Sequence, residues 1–128
     1  MVTELKMTIP LKPITKKNSQ QIVTRKVNGK IVPFIIPSKA YLQYEKDCGY
    51  FIKGKGLFID YPVNVKAEYF MPTKRNVDLT NLHEALHDVL VKYEVLKDDN
   101  YKIVQSTDGS MVHVDKENPR TEITITPV

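Results

Sequence analysis

Polar and apolar residues alternate through residues 3–9 (TELKMTI), which predicts a strand with every second side chain turned toward a core. The alternation stops in residues 10–20 (PLKPITKKNSQ), where two prolines and three lysines mark a basic loop. Residues 21–28 and 30–36 flank Asn28-Gly29, a strong turn signal, and predict a hairpin. Pro37-Ser38 then announces a helix. Ser38 can cap it, Tyr41, Leu42, Tyr44, Glu45, Cys48 and Ile52 fall on one stripe, and Gly54 and Gly56 end it. Residues 62–71 return to alternation, with Val63, Val65, Ala67 and Tyr69 on one side of a strand. A loop carrying Lys74 and Arg75 leads to a second helix, from about residue 79 to Tyr93. Its buried stripe is Leu82, Leu86, Val89 and Leu90, and Asn81, Glu84, Asp88 and Lys92 fall on another face. Strands near residues 101–106 and over 121–126 complete the pattern. The expectation is a single α+β domain over residues 1–128, a mostly antiparallel sheet with two packed helices.

Length and composition agree with that expectation. The 128 residues make one ordinary domain, 41% hydrophobic and 27% charged, a soluble globular balance. The longest apolar run, around residues 31–36, is interrupted by Pro33 and is too short to span a membrane. The N-terminus does not read as a signal peptide. The one cysteine, Cys48, cannot form an internal disulfide and reads as a small core residue. A cytoplasmic setting is expected. Charge changes the picture more. Residues 1–39 hold eight Lys/Arg against one acid, net +7, whereas residues 40–128 hold eleven against fourteen, net −3. A basic front suits an anion and an acidic back suits a cation, although charge of this kind also serves solubility alone.

The chemistry concentrates in residues 78–99 (DLTNLHEALHDVLVKYEVLKDD). Asp78 precedes the helix, Asp88 lies ten residues later on its polar face, and Asp98 and Asp99 follow after the chain turns back. If the helix packs on the sheet, the following strand can bring Asp99 toward the helix N-terminus, so that carboxylates from three elements converge. Converging carboxylates resist burial unless protonated or bound to a cation. Oxygen donors select Mg²⁺ or Mn²⁺, which can polarise a phosphate and activate water. The plain alternative is that these residues are caps and solvated turns.

A rival motif occupies the same helix. His83-Glu84-Ala85-Leu86-His87 reads H-E-x-x-H, the spacing of a zinc protease. Asp88 follows where such a helix continues apolar, and no third ligand stands out among Glu94 and His113. Both histidines are expected on an exposed or half-buried helix surface.

The 78–99 stretch resembles the RusA family of Holliday junction resolvases, whose D-x-D-N-L-x-K…D-x-L…D-D signature leads into a strand. Asp78, Asn81, Leu82, Asp88, Leu90, Asp98 and Asp99 match in residue and spacing. The opening strand with TIPLKPITKKNS, Met71-Pro72, and the close from Pro119-Arg120 through Ile123-Thr124-Ile125 resemble the family as well. The resemblance implies an α+β homodimer that binds four-way junction DNA and makes paired nicks with Mg²⁺ (Mn²⁺ as a substitute), leaving 5′-phosphates. It implies that Asp78 and Asp99 are metal-binding catalytic carboxylates, with Asp98 beside them, Asp88 as a ligand or an outer acceptor, and Asn81 at the helix start. Two positions depart from the signature: Thr80 stands where the family has an acid, and Glu84 where it has a lysine. Glu84 lies one helical turn from Thr80 and is expected to replace part of the lost carboxylate.

Phosphate contacts are then expected from Lys12, Lys16, Lys17, Lys74 and Arg75, with Asn18 and Ser19 as hydrogen-bond donors or ordinary turn residues. Tyr41 and Tyr44 could stack on exposed bases, but their helical stripe favours core packing. The rival functions are a junction or DNA binder with a decayed site, which Thr80 and Glu84 would mark, and, more remotely, the zinc protease.

Overall fold

The computed structural model describes residues 3–16 and 20–128. Its elements, in chain order, are β1 (Leu5–Ile9), β2 (Gln20–Val27), β3 (Lys30–Pro37), α1 (Lys39–Cys48), β4 (Val63–Met71), α2 (Leu79–Lys92), β5 (Val104–Ser106), β6 (Met111–Val114) and β7 (Arg120–Pro127). The fold class is α+β, as the patterning predicts.

The main sheet is built on β4. It pairs antiparallel with β7 along its length, and β7 pairs antiparallel with β1. β5 and β6 join the other side of β4 in short parallel ladders. The sheet is therefore mixed, antiparallel over its long pairings and parallel at one edge. Its inner face follows from period-two alternation: Met7 and Ile9, Val63, Val65, Ala67 and Tyr69, and Ile123 and Ile125 are all buried. The register sets Met7 and Ala67 against Ile123, and Val65 against Ile125.

Both helices cover this face. α2 contributes Leu82, Ala85, Leu86, Val89 and Leu90, and α1 contributes Tyr41, Tyr44 and Cys48. Each fully buried side chain of this size stabilises the fold by about 1.5–3 kcal/mol. Tyr41 and Tyr44 are core residues, so neither can stack on a base. Burial pushes the Cys48 thiol up to about 12, which leaves it unreactive. α1 starts where Ser38 accepts a bond from the Tyr41 N–H. It stops at Cys48, short of Gly54, and Leu42 faces solvent. Gly49 is its C-cap residue, and a Cβ there would meet the Tyr93 ring at 2.7 Å. The Tyr93 hydroxyl donates to the Glu45 carbonyl at 2.8 Å and ties the end of α2 to α1.

β2 and β3 pair only with each other, around Asn28 and Gly29 with φ of +51° and +79°. Positive φ at both central residues gives the twist that a two-residue hairpin turn needs. No described side chain of this ribbon is buried.

The expected strand over 101–106 is shorter, since residues 101–103 form a turn, and β6 adds a strand that the pattern did not predict.

Candidate functional site

The polar face of α2 carries the site. Alternation on β4 and the apolar stripe of α2 fix which way the helix lies, so Asn81, Glu84 and Asp88 turn away from the core while Leu82, Leu86 and Leu90 enter it. Asp78 is the N-cap residue of α2, yet its side chain makes no capping bond. Its carboxylate instead lies 3.4 Å from the Asn81 amide. A negative group here is favoured by the helix dipole.

Ten residues along, Asp88 holds the Lys16 ammonium at 2.9 Å, between two side chains that are each about one-third exposed. Asp88 holds Lys16 above the ordinary lysine range, with added attraction from Glu45 and Glu84. Glu84 and Asp88 thus share one face with Lys16 between them and Glu45 of α1. Glu45 was the acid within an otherwise largely apolar stripe, and that misfit was the signal for its role. It also pairs with Lys92 at 2.7 Å.

The segment after α2 supplies the other carboxylates. Glu94 takes φ +57°, and the Val95 N–H returns to the Leu90 carbonyl. Leu96 then bridges to Ile59, so the chain doubles back beside the helix. Asp98 accepts the Asp99 N–H at 2.7 Å and the Asn100 amide at 3.0 Å. Asp99 is held above the ordinary carboxylate range by burial of its carboxyl end, then by Asp98 and by the Asp88 charge, although the residue as a whole is exposed. Asp99 therefore sits within reach of the charges of both Asp98 and Asp88.

Asp78 does not close onto the same point as Asp88. A helix rises 1.5 Å per residue, so the ten residues from Asp78 to Asp88 separate them by about 15 Å along the axis. Among the described residues, no group of three His, Cys, Asp or Glu side chains stands close enough to hold an ion. Asp78 and Asp88 are thus set apart along α2, while Asp99 lies within electrostatic reach of Asp98 and Asp88. The donor type fits a hard divalent cation, since every candidate donor is oxygen and Asp88 already holds a cation, the Lys16 ammonium.

The expected phosphate contacts divide. Lys12, Lys74 and Arg75 are exposed and have no ion-pair partner among the described residues, whereas Lys16 is engaged by Asp88. Lys17, Asn18 and Ser19 lie outside the described residues. Thr80 is exposed in the first turn of α2. By contrast, the outer face of the sheet satisfies its charges locally: Arg120 binds Glu122 at 2.6 Å and Asp115 at 2.9 Å, and Glu68 binds His113 at 3.1 Å.

His83 and His87 lie on a flank of α2, about 100° around the helix from Glu84 and Asp88. His83 shares a 2.7 Å hydrogen bond with the Tyr69 hydroxyl, and the two imidazoles stack at 5.4 Å. His87 is buried rather than on the helix surface, because its position falls within the stripe of Leu86 and Leu90. Burial pushes it down to about 4. The Nε2 atoms of both are buried without a partner, and no third ligand joins them among the described residues.

Residues 10–126 match the family model described as Endodeoxyribonuclease RusA. The chain belongs to the RusA endodeoxyribonuclease family. RusA-family enzymes resolve Holliday junctions by hydrolysing phosphodiester bonds, and the match takes in β2 through β6 whole together with nearly all of β7. A search of curated proteins finds no match to the chain. Membership makes junction DNA the substrate class, and it sets aside the protease reading of the H-E-x-x-H helix. The structure agrees with RusA membership in its α+β architecture, and among the described residues no helix is long and apolar enough to cross a membrane.

Proposed function

We propose that this RusA-family chain is a Mg²⁺-dependent endonuclease that nicks two opposed strands of a four-way junction as a two-fold homodimer. The observation that carries the reading is Asp99, in the segment after α2, beside Asp98 and within reach of the Asp88 charge on the polar face of α2, with its carboxyl held above the ordinary carboxylate range.

Asp88 and Asp99 would hold the ion, with Mn²⁺ able to substitute for Mg²⁺. Asp98 fixes the backbone of Asp99 through its N–H, and Glu84 adds negative charge one turn before Asp88, in part for the carboxylate missing at Thr80. A divalent ion held there would supply charge to offset these acids, to polarise the scissile phosphate and to lower the pKa of an attacking water. Lys16, released from Asp88, turns to the incoming phosphate. Lys12, Lys74 and Arg75 hold the neighbouring backbone, joined in the same basic segment by Lys17 and Asn18. Water oxygen joins phosphorus, the P–O3′ bond breaks, and a 3′-hydroxyl and a 5′-phosphate remain. Asp78 and Asn81 offer an oxygen donor at the helix start. Two-fold symmetry suits the substrate, because an isologous dimer presents two identical sites to two opposed strands.

The test incubates purified protein with labelled four-way junction and matched linear duplex, each with Mg²⁺ and with chelator. Paired cuts confined to the junction with Mg²⁺ are expected. Junction binding without cuts in both Mg²⁺ and Mn²⁺ would instead make this a non-catalytic binder with a decayed site.

A further inference from the structure

Beside the start of α2 lies a cavity of about 390 Å³ that the cutting chemistry does not use. Ile14, Ala40, Met71 and Val77 wall it with apolar surface, and Lys12, Arg75 and Asn76 stand among the residues that line it. It joins three segments: the loop after β1, the first turn of α1 and the loop from β4 to α2. We propose that this cavity receives an unpaired nucleobase from the junction strand being cut, with Lys12 and Arg75 holding the phosphates on either side of it. The inference rests on the junction-nuclease reading above and adds a specificity site to it.

Size, chemistry and position each support this occupant. A volume near 400 Å³ is at the scale of pockets that enclose small aromatic ligands, whose walls are mostly apolar with a few polar groups. A base taken out of its stack is held in this way, between apolar side chains with hydrogen bonds to its edge. Asn76 and Thr73 supply both donors and acceptors for that edge. Lys12 and Arg75 are exposed and have no acidic partner among the described residues, unlike Lys16, Lys66, Lys92 and Arg120. Two unsatisfied cations beside an apolar hollow suit a nucleotide better than a purely apolar ligand. The cavity reaches Val77, next to Asp78, which places it about 15 Å from Asp88 along α2. At 3.4 Å per stacked nucleotide, that is about four nucleotides from the cut, within the crossover where junction strands can leave their stack.

The test scans abasic nucleotides through the five positions on each side of the cut. Cutting of each junction is measured for the wild type and for Ala40→Leu, which fills the cavity from an exposed helix position. Thr73→Leu fills it from the opposite segment and guards against a folding defect in the first variant, with thermal unfolding as the check on both. One position is expected at which losing the base lowers wild-type kcat/KM about tenfold. Both variants should show that loss on the intact junction and no further loss on the abasic one, because the base and the cavity act as one unit. Penalties that simply multiply at every position, or no position that matters, would overturn the inference while leaving the nuclease reading in place. A wild type that cuts no junction would remove both.

Discussion

Replacing Lys16 by Met should tighten divalent-ion binding and weaken DNA binding at the same time. The Lys16 ammonium sits 2.9 Å from Asp88, so an ion would have to displace it before using that carboxylate. Two unit charges about 4 Å apart attract by about 1 kcal/mol in water and about 4 kcal/mol at an effective dielectric of 20. The side chains are 34% and 32% exposed, so solvent screening keeps the pair toward the lower figure. Removing the competing charge should therefore gain about 1–1.5 kcal/mol of ion affinity, a five- to tenfold lower Kd. Calorimetric titration of the DNA-free protein with Mn²⁺ reads this without any cutting. Met retains most of the stem's packing, so unfolding free energy should change by less than about 1 kcal/mol. Junction affinity should fall, and the slope of log K against log salt should become shallower by about one, as one phosphate contact is lost. Unchanged or weaker Mn²⁺ binding in Lys16→Met would refute the reasoning, because Asp88 would then not be a ligand that Lys16 guards.

Other outcomes follow from the same geometry. Asp99 has a raised folded pKa, so its contribution to stability is present at acid pH and is lost as pH rises through that value. Asp99→Asn should therefore unfold at a higher temperature than the wild type at pH 7 without metal, while its Mg²⁺-dependent cutting falls by at least about 100-fold. For His87, the folded value near 4 lies below the unfolded value near 6.5, so its stability is complete above pH 6.5 and is lost as pH falls toward 4. The loss is about 3 kcal/mol, and urea unfolding of His87→Leu should show a flatter dependence on pH across that window. Tyr69→Phe removes the 2.7 Å bond to His83 and should cost about 1 kcal/mol in the same assay.

The fold was legible wherever periodicity was strong. Leu82, Leu86, Val89 and Leu90 set the buried stripe of α2, Val63, Val65, Ala67 and Tyr69 set the inner face of β4, and Asn28-Gly29 set the hairpin turn. β6 was not legible. Met111, Val112 and Val114 are apolar but exposed, and the strand exists because Glu68–Met71 offers a parallel edge more than forty residues away in sequence. The end of α1 at Cys48 is not legible, because buried Ile52 continues the apolar spacing beyond it. At the site, the acids were visible but their grouping was not. Where Asp98 and Asp99 fall depends on the left-handed turn at Glu94 and the bridge from Leu96 to Ile59, and neither leaves a periodic trace. The apolar surroundings of His87 were visible in the spacing of Leu86 and Leu90, yet two polar neighbours, Glu84 and Asp88, masked them.

The central claim is that Asp88 and Asp99 hold the catalytic ion, and a crystal of the protein soaked in Mn²⁺ tests it most directly. Anomalous scattering should give a peak within about 2.0–2.3 Å of carboxylate oxygens from both residues, with Lys16 withdrawn from Asp88. No peak at saturating Mn²⁺, or an ion that leaves Asp88 still bound to Lys16, would contradict the claim.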